Sequence, residues 1–185
     1  MRSASQESHV RGFDSMERDI ARALAALTTG IYVLTVDDGE RRHGMSSSWV
    51  TQVSGEPPLL MAAIDRGHFS NAMVTRAKAF GLNVVGTGGR QLEDYFYSSR
   101  AKRADNLDAF ECERSPKLKM PWLKVAMVSI EARVVDEKIA GDHTLFIAEP
   151  VSVRIGRSER PLTSLDFDYV YVGGKNVLQR DRAGW

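Results

Sequence analysis

The segment Gly141-Asp142-His143-Thr144 joins a carboxylate and an imidazole between two runs in which apolar and polar residues alternate. Such alternation is typical of half-buried β-strands, and Gly-Asp favours a turn between them. Histidine changes charge near neutral pH, and a neighbouring carboxylate can fix its tautomer. The pattern therefore predicts a candidate hydrogen-bonding group, His143, at the end of a hairpin. The alternative is a turn that carries no chemistry.

A second candidate is the row of serines Ser46, Ser47 and Ser48, which Met45 precedes and Trp49 follows. The surrounding residues are typical of a strand, in which serine has low propensity. A short hydroxyl beside backbone N–H groups suits a polar, planar ligand that approaches closely and needs many hydrogen bonds. Two interpretations stay open: a strand that lines a ligand, or an edge strand with polar faces.

The segment Asp65–Asn71 connects a predicted strand to the start of a predicted helix. It contains Arg66, His68 and Ser70. The free N–H groups of a helix start bind anions, and arginine forms strong charge-assisted hydrogen bonds with phosphate. An anion site is therefore one interpretation. The other is a solvated loop with a serine that caps the helix.

The glycine-rich stretch at 84–91 resembles part of a dinucleotide fingerprint, since Gly86 and Gly88 supply G-x-G. Gln91 stands where the third glycine belongs, and no βαβ unit surrounds the stretch. We interpret it as a turn that leads into a helix. A direct phosphate-cradling role is the alternative.

Composition argues against several other classes of protein. The four histidines are scattered and Cys112 is the only cysteine, so no pair has metal-ligand spacing and we predict no metal site. The net charge of +1 and the lack of a long basic run give no reason to expect nucleic acid or an anionic membrane as partner. No apolar stretch approaches the roughly 20 residues of a membrane-spanning helix. A single thiol fits a reducing cytoplasm.

The chain is long enough for one domain with a real core, which we predict at residues 14–185 after a polar, flexible lead-in at residues 1–13. An opening helix starts near Asp14 and carries Ile20, Leu24 and Leu27 on one face. Most later connections are too short for helical crossovers, which favours a mainly antiparallel sheet or barrel with a few outer helices. The later predicted elements are strands at 31–36, 43–53, 57–64, 79–85, 124–140 and 143–155, helices at 69–80 and 89–99, and a hairpin at 167–178.

Together these segments resemble the flavin reductase-like family of the FMN-binding split barrel, over about residues 16–174. The opening ALAALTTGIYVLTV fits the family's first pattern, and residues 44–54 with the following Pro-Pro-Leu fit its G-M-T-A-x-W-V-x-Q-V-S pattern. Residues 80–84 fit F-x-V-N-V, residues 141–146 are G-D-H-T-L-F, and YVYVGG resembles the closing strand. Five motifs in order, with fitting spacing, carry the resemblance.

The resemblance implies a mainly β fold, a six-stranded antiparallel split β-barrel of Greek-key order with a few peripheral helices. It implies a homodimer with FMN in a groove at or near the dimer interface. The implied activity is that of an NAD(P)H:flavin oxidoreductase, in which NADH or NADPH gives a hydride to the flavin N5 and the reduced flavin passes electrons to a monooxygenase partner or another acceptor. The alternatives are a flavoredoxin-like electron carrier with a protein donor, and a non-redox module for another planar ligand.

The resemblance also assigns roles to particular residues. The serine strand would contact the flavin ring or ribityl chain, the loop Asp65–Ser70 with the following helix start would hold the phosphate, and His143 would lie at the rim of the groove near the nicotinamide. The residues assigned to cofactor binding are Met45, Ser46, Ser47, Ser48, Trp49, Asp65, Arg66, His68, Ser70, Asn71 and Asn83.

Overall fold

The computed structural model describes residues 15–98, 101–103, 105–173 and 176–179 of the chain. The predicted lead-in at 1–13 lies outside the described residues. The chain divides into two compact units, residues 28–167 and a smaller unit from residues 1–27 and 168–185. The expectation of a single domain over 14–185 stays a prediction.

Three α-helices and eleven strands make up the regular structure of the described residues. The helices are α1 (Ser15–Ala25), α2 (Phe69–Ala77) and α3 (Arg90–Phe96). The strands are β1 (Tyr32–Asp37), β2 (Arg42–Ser47), β3 (Val50–Gly55), β4 (Pro58–Asp65), β5 (Ala79–Val84), β6 (Cys112–Arg114), β7 (Pro121–Leu123), β8 (Val128–Ala140), β9 (His143–Ile155), β10 (Tyr169–Gly173) and β11 (Asn176–Gln179).

The main sheet has the strand order β2-β1-β5-β8-β9-β4-β3, and every recorded pairing between its strands is antiparallel. It has seven strands rather than the six expected, because the strand predicted at 43–53 breaks at Ser48 and Trp49 into β2 and β3. These two strands form opposite edges of the sheet, yet only two residues separate them. The sheet must therefore curl until its edges approach at this corner.

Alternation along the strands separates a core face from an outer face. Leu60, Ala62 and Ile64 of β4 are buried in the core, which gives their neighbours Met61 and Ala63 the opposite face. Helix α2 contributes apolar side chains to the same core. The other strand and helix residues of this core are Leu34, Val36, Met73, Val74, Phe80, Leu82, Ala132, Phe146 and Ala148.

The smaller unit contains α1 and the predicted C-terminal hairpin, β10 with β11. Ile20 and Leu24 of α1 are 55% exposed, whereas Ala21 and Ala25 are buried; Leu27, predicted on the same face, lies beyond the end of α1 and is 63% exposed. The face of α1 that the spacing of large apolar residues marks is therefore its exposed face. Small side chains form its buried face.

Candidate functional site

The link between β2 and β3 lies against the end of β4 and the start of β9. The Trp49 carbonyl accepts a hydrogen bond from the Ala63 N–H at 2.9 Å. The Trp49 ring also lies 4.7 Å from the ring of His143, with an angle of 38° between the two planes. The break in the predicted strand thus turns Trp49 towards the hairpin histidine.

His143 is the first residue of β9 and pairs in register with Asp65, the last residue of β4. Its Nδ1 lies 2.6 Å from Oδ1 of Asp142. Hydrogen bonding and the imidazole's charge lower the pKa of the Asp142 carboxyl. Gly141 forms the turn with φ of +60°, which glycine adopts without steric cost. The structure therefore brings together three of the predicted residues, namely Trp49, Asp65 and His143.

The loop after β4 is fixed by backbone hydrogen bonds to the same hairpin turn. The Arg66 N–H donates to the Asp142 carbonyl at 2.9 Å, and the Gly67 N–H donates to Oδ1 of Asp65 at 2.7 Å. The His68 N–H donates to the Asp65 carbonyl at 3.0 Å. Arg66 itself is exposed, so its guanidinium is accessible to a ligand.

Helix α2 begins directly after this loop, and three predicted residues lie at its start. His68 is the N-cap: its Nδ1 accepts the Ser70 N–H at 3.2 Å. The Asn71 side chain donates to the Ile64 carbonyl at 2.9 Å, which ties the helix to β4. Ser70 is 0% exposed, and its Oγ has no hydrogen-bond partner among the described residues. A buried hydroxyl without a partner costs about 1–3 kcal/mol, which a ligand acceptor that reached this atom would recover.

The sequence interpretation missed His43, which lies on β2 and is 2% exposed. Its ring centroid is 5.4 Å from that of His68 and 5.9 Å from that of Phe69. The pKa of His68 is lowered to about 4, first by burial and then by the charge of His43, while Asp65 opposes both effects. Alternation places His43 on the face of β2 that carries Met45, but only the docking of α2 brings it to His68.

The three serines do not form one surface. Met45 packs against the core, Ser47 is buried, and the residue between them, Ser46, lies on the opposite face of β2. The Ser46 hydroxyl donates to the carboxylate of Glu93 on α3, which is 3% exposed. Ser48 stands in the link before Trp49 and is half-buried. Sequence reasoning missed Glu93, because nothing local to α3 indicates its partner on β2.

Asn83 differs from the other assigned residues, since its amide is buried and fully hydrogen-bonded inside the protein. Its Nδ2 donates to the Val33 carbonyl and to Thr35 Oγ1, each at 3.1 Å. Its Oδ1 accepts the Leu123 N–H at 2.9 Å and the Ser129 hydroxyl at 3.0 Å. These bonds use both N–H groups and two acceptor positions. Asn83 therefore joins β5 to its neighbours, and its assignment to the flavin stays a prediction.

The glycine-rich turn is covered by a carboxylate of the chain itself. Glu159 accepts the Gly88 N–H and, at 3.1 Å, the Thr87 hydroxyl, while its other oxygen is buried and has no partner among the described residues. A side chain at Gly86 would collide with Glu159. The glycines thus allow a neighbouring segment to approach closely. The stretch is a short turn, Thr87–Gly89, that leads into α3, as the sequence predicts.

The described part of the chain carries neither a metal centre nor a membrane-spanning helix. It contains no group of three or more His, Cys, Asp or Glu side chains that would hold a metal ion. Nor does any helix within residues 15–98, 101–103, 105–173 or 176–179 have the length and apolar character needed to cross a membrane.

Comparison with known proteins identifies relatives over most of the chain. The family model "Flavin reductase like domain" matches residues 24–174. The NADPH-flavin oxidoreductase of Streptomyces viridifaciens is 27% identical over 166 residues, which cover 89% of this chain and 85% of that protein. The NADH:riboflavin 5'-phosphate oxidoreductase of Streptomyces pristinaespiralis is 31% identical over 145 residues, which cover 75% of this chain and 78% of the relative.

Solved structures share the fold. The structure of nitrilotriacetate monooxygenase component B from Mycobacterium thermoresistibile superposes with a TM-score of 0.72 at 19% sequence identity. The match covers 92% of this chain and 92% of that one. At this identity the likeness establishes the fold, and the mainly antiparallel sheet with few helices agrees with the prediction from the sequence.

Proposed function

Because the chain belongs to the flavin reductase-like domain family, we propose that it is an FMN-binding NAD(P)H:flavin oxidoreductase. The observation that carries the proposal is the start of α2, where the buried Ser70 hydroxyl has no partner among the described residues. A phosphate oxygen would supply that partner. The exposed Arg66 guanidinium and the N–H groups of the helix start add the donors that a phosphate requires.

The residues around this start fit a flavin in other respects. Trp49 gives an aromatic surface in the link between β2 and β3. Ser48 gives a hydroxyl in the same link, and Ser46 gives one on β2. The Ser46 hydroxyl donates a hydrogen bond to Glu93, so the lone pairs of its oxygen are available to accept a hydrogen bond from a ligand N–H or O–H. Met45, Ser47 and Asn71 stay assigned to the flavin as part of this proposal.

When bound, the flavin supplies the redox chemistry, since it accepts a hydride from the nicotinamide at N5. The chain's own task is to hold the two rings together and to exclude water. His143 lies 4.7 Å from Trp49 and is 5% exposed, so its imidazole is held in place. Asp142 at 2.6 Å from Nδ1 fixes the orientation of that ring and directs Nε2 to the nicotinamide or the flavin edge.

The assembly is part of the same proposal. We expect the curled sheet to close as a split barrel at Ser48 and Trp49, and two copies to form a homodimer with the flavin groove near the interface. The exposed apolar side chains Val53, Val135 and Ile139, which are 47%, 53% and 64% exposed, support an interface with a second copy. Light scattering of the purified protein would measure its mass, and a monomer at micromolar concentration would contradict the dimer.

The electron acceptor is proposed to be a monooxygenase partner or another flavin-dependent acceptor. One protein of the same fold is itself named as a monooxygenase component. The single cysteine, Cys112, is a free thiol, which agrees with the cytoplasm as the proposed compartment.

An anaerobic titration tests the activity. The protein is mixed with FMN, and NADH and then NADPH are added while the oxidised-flavin absorbance is recorded. Loss of this absorbance at a rate well above that of FMN without protein is expected, and the faster nucleotide is the preferred donor. If bound FMN keeps its absorbance with both nucleotides, the flavoredoxin-like alternative with a protein donor replaces the proposal. If FMN does not bind at all, the non-redox alternative replaces both.

A further inference from the structure

The start of α2 is capped by a side chain that a phosphate would compete with. His68 Nδ1 accepts the Ser70 N–H at 3.2 Å, so this nitrogen carries a lone pair and a neutral ring holds its proton on Nε2. A phosphate at the helix start needs the same N–H group. The His68 imidazole and an incoming anion therefore compete for the same donor, the Ser70 N–H.

We propose that the phosphate of FMN displaces His68 from the α2 start, and that the released imidazole takes up a proton from solvent and pairs with the phosphate as a cation. The inference rests on the proposed function, because it concerns the phosphate end of the same flavin site. The only covalent change is the N–H bond that the imidazole forms with the proton, and the Ser70 N–H hydrogen bond passes from His68 Nδ1 to a phosphate oxygen. Each FMN bound takes up as much as one proton.

The groups that face His68 decide when it is charged. His43 from β2, with ring centroids 5.4 Å apart, opposes a positive charge, and Asp65 at the end of β4 favours one. Burial adds to the effect of His43, so without ligand the pKa of His68 lies at about 4 and the ring is neutral at pH 7. A phosphate dianion adds two negative charges beside the ring. These charges favour the protonated form of His68, so its pKa rises and the ring takes up a proton from solvent.

Ser70 makes the site selective for a phosphorylated flavin. Its N–H and its buried Oγ belong to one residue, and one phosphate group can satisfy both. Riboflavin has no phosphate, so it leaves His68 in place as the cap and the Ser70 hydroxyl without a partner. FMN binding is therefore expected to be linked to proton uptake, and riboflavin binding is not.

Calorimetry measures this linkage directly. FMN and riboflavin are titrated into the wild-type protein at pH 7 in two buffers with different enthalpies of ionisation, and the difference in heat gives the protons taken up. At this pH free FMN is mostly a dianion, since the second pKa of a phosphate monoester is about 6. The expected result is uptake of a measurable fraction of a proton with FMN and none with riboflavin.

The His68→Asn variant is the matched control. Asparagine caps a helix as well as histidine does, but it does not titrate near neutral pH. The variant is expected to keep its fold, checked by circular dichroism, and to lose the uptake with FMN. No uptake in the wild-type protein, equal uptake with both flavins, or unchanged uptake in His68→Asn would each overturn the inference.

A probe without a flavin ring separates this inference from the proposed function. If no flavin binds, the proposed function fails, and inorganic phosphate is titrated in its place while NMR follows the His68 ring and the Ser70 amide. A rise in the pKa of His68 together with a shift of the Ser70 amide upholds the anion site. Unmoved signals at both positions overturn it.

Discussion

Two regions of the main unit offer donors that suit an anion, and the chain treats them differently. At the turn Thr87–Gly89, the Gly88 N–H and the Thr87 hydroxyl bind the carboxylate of Glu159. At the start of α2, the acceptor is the neutral ring of His68, and the hydroxyl of Ser70 has no partner among the described residues. In the first region the donors already bind an anion of the chain, the Glu159 carboxylate. In the second region no anionic group of the described residues binds the Ser70 N–H or hydroxyl.

The more conspicuous sequence motif is therefore not the better candidate for the binding site. The glycines at 86 and 88 resemble a phosphate loop in sequence, but their role here is to let the Glu159 segment approach. The α2 start has no glycine signature at all. What distinguishes it is that the buried atom left unpaired by the described residues is a hydroxyl, Ser70 Oγ, whereas the one at the glycine turn is a carboxylate oxygen of Glu159; both are visible only once the chain has folded.

The start of α2 should make the stability of the protein depend strongly on pH. The folded-state pKa of His68 is about 4, below the ordinary value of 6.5, so the unfolded chain binds the proton more readily between these values. Stability without flavin is therefore full above pH 6.5 and falls as the pH drops towards 4, by about 2–3 kcal/mol from this group. Urea unfolding at several pH values measures the slope. His68→Asn should flatten it, and an equally steep slope in that variant would refute the assignment.

Ser70→Ala should increase the stability of the protein and decrease its affinity for FMN. Removal of a buried hydroxyl without a partner is expected to raise the free energy of unfolding by about 1 kcal/mol. It should also weaken FMN binding about tenfold, because the phosphate loses a hydrogen bond, and leave riboflavin binding unchanged. Fluorescence titration and urea unfolding measure the two effects.

Ser129→Ala is the matched control for that substitution. Ser129 is also buried, but its hydroxyl bonds to Asn83 at 3.0 Å and to Arg154 at 2.9 Å. Here the same substitution should lower stability by about 1–2 kcal/mol and leave the ratio of FMN to riboflavin affinity unchanged. If the two variants shift stability in the same direction, Ser70 is not an unsatisfied group.

Glu159→Ala tests the filled region in the same way. The Gly88 N–H and the Thr87 hydroxyl lose their acceptor, so unfolding should become easier by about 1–2 kcal/mol. FMN affinity should not change. A large loss of FMN binding would show that the glycine turn, and not the α2 start, serves the ligand.

The smallest effect is expected at the other end of α2. Lys78 ends the helix with φ of 50°, a left-handed conformation that favours glycine. Lys78→Gly should stabilise the protein by about 0.5 kcal/mol, since the exposed Lys78–Glu137 ion pair that it removes contributes little. Thermal unfolding measures this, and FMN affinity is expected to stay the same because the change is remote from the helix start.

Local patterns in the sequence predicted most of the strands. The run 143–155 corresponds to β9 over its full length, and the helices at α2 and α3 begin at or next to the predicted residues. Periodicity did not predict the strand boundaries and strands that depend on contacts between residues far apart in the sequence. The strand predicted at 43–53 breaks at Ser48 and Trp49 because its two halves, β2 and β3, pair at opposite edges of the sheet, and strands β6 and β7 were not predicted.

The same limit applies to the candidate site. Trp49, Asp65 and His143 were predicted and lie together, because β4 and β9 pair in register. His43 and Glu93 were missed, since each meets its partner only through the docking of a helix onto β2. These contacts join residues that are far apart in sequence, and no local pattern encodes them.

We propose above that the start of α2 binds the flavin phosphate. The most direct test is the ratio of the dissociation constants of riboflavin and FMN for the wild-type protein, measured by fluorescence titration at pH 7 and low salt. Charge-assisted hydrogen bonds of about 1.5–3 kcal/mol predict that FMN binds about ten to a hundred times more tightly. Equal affinities for the two flavins would contradict the claim.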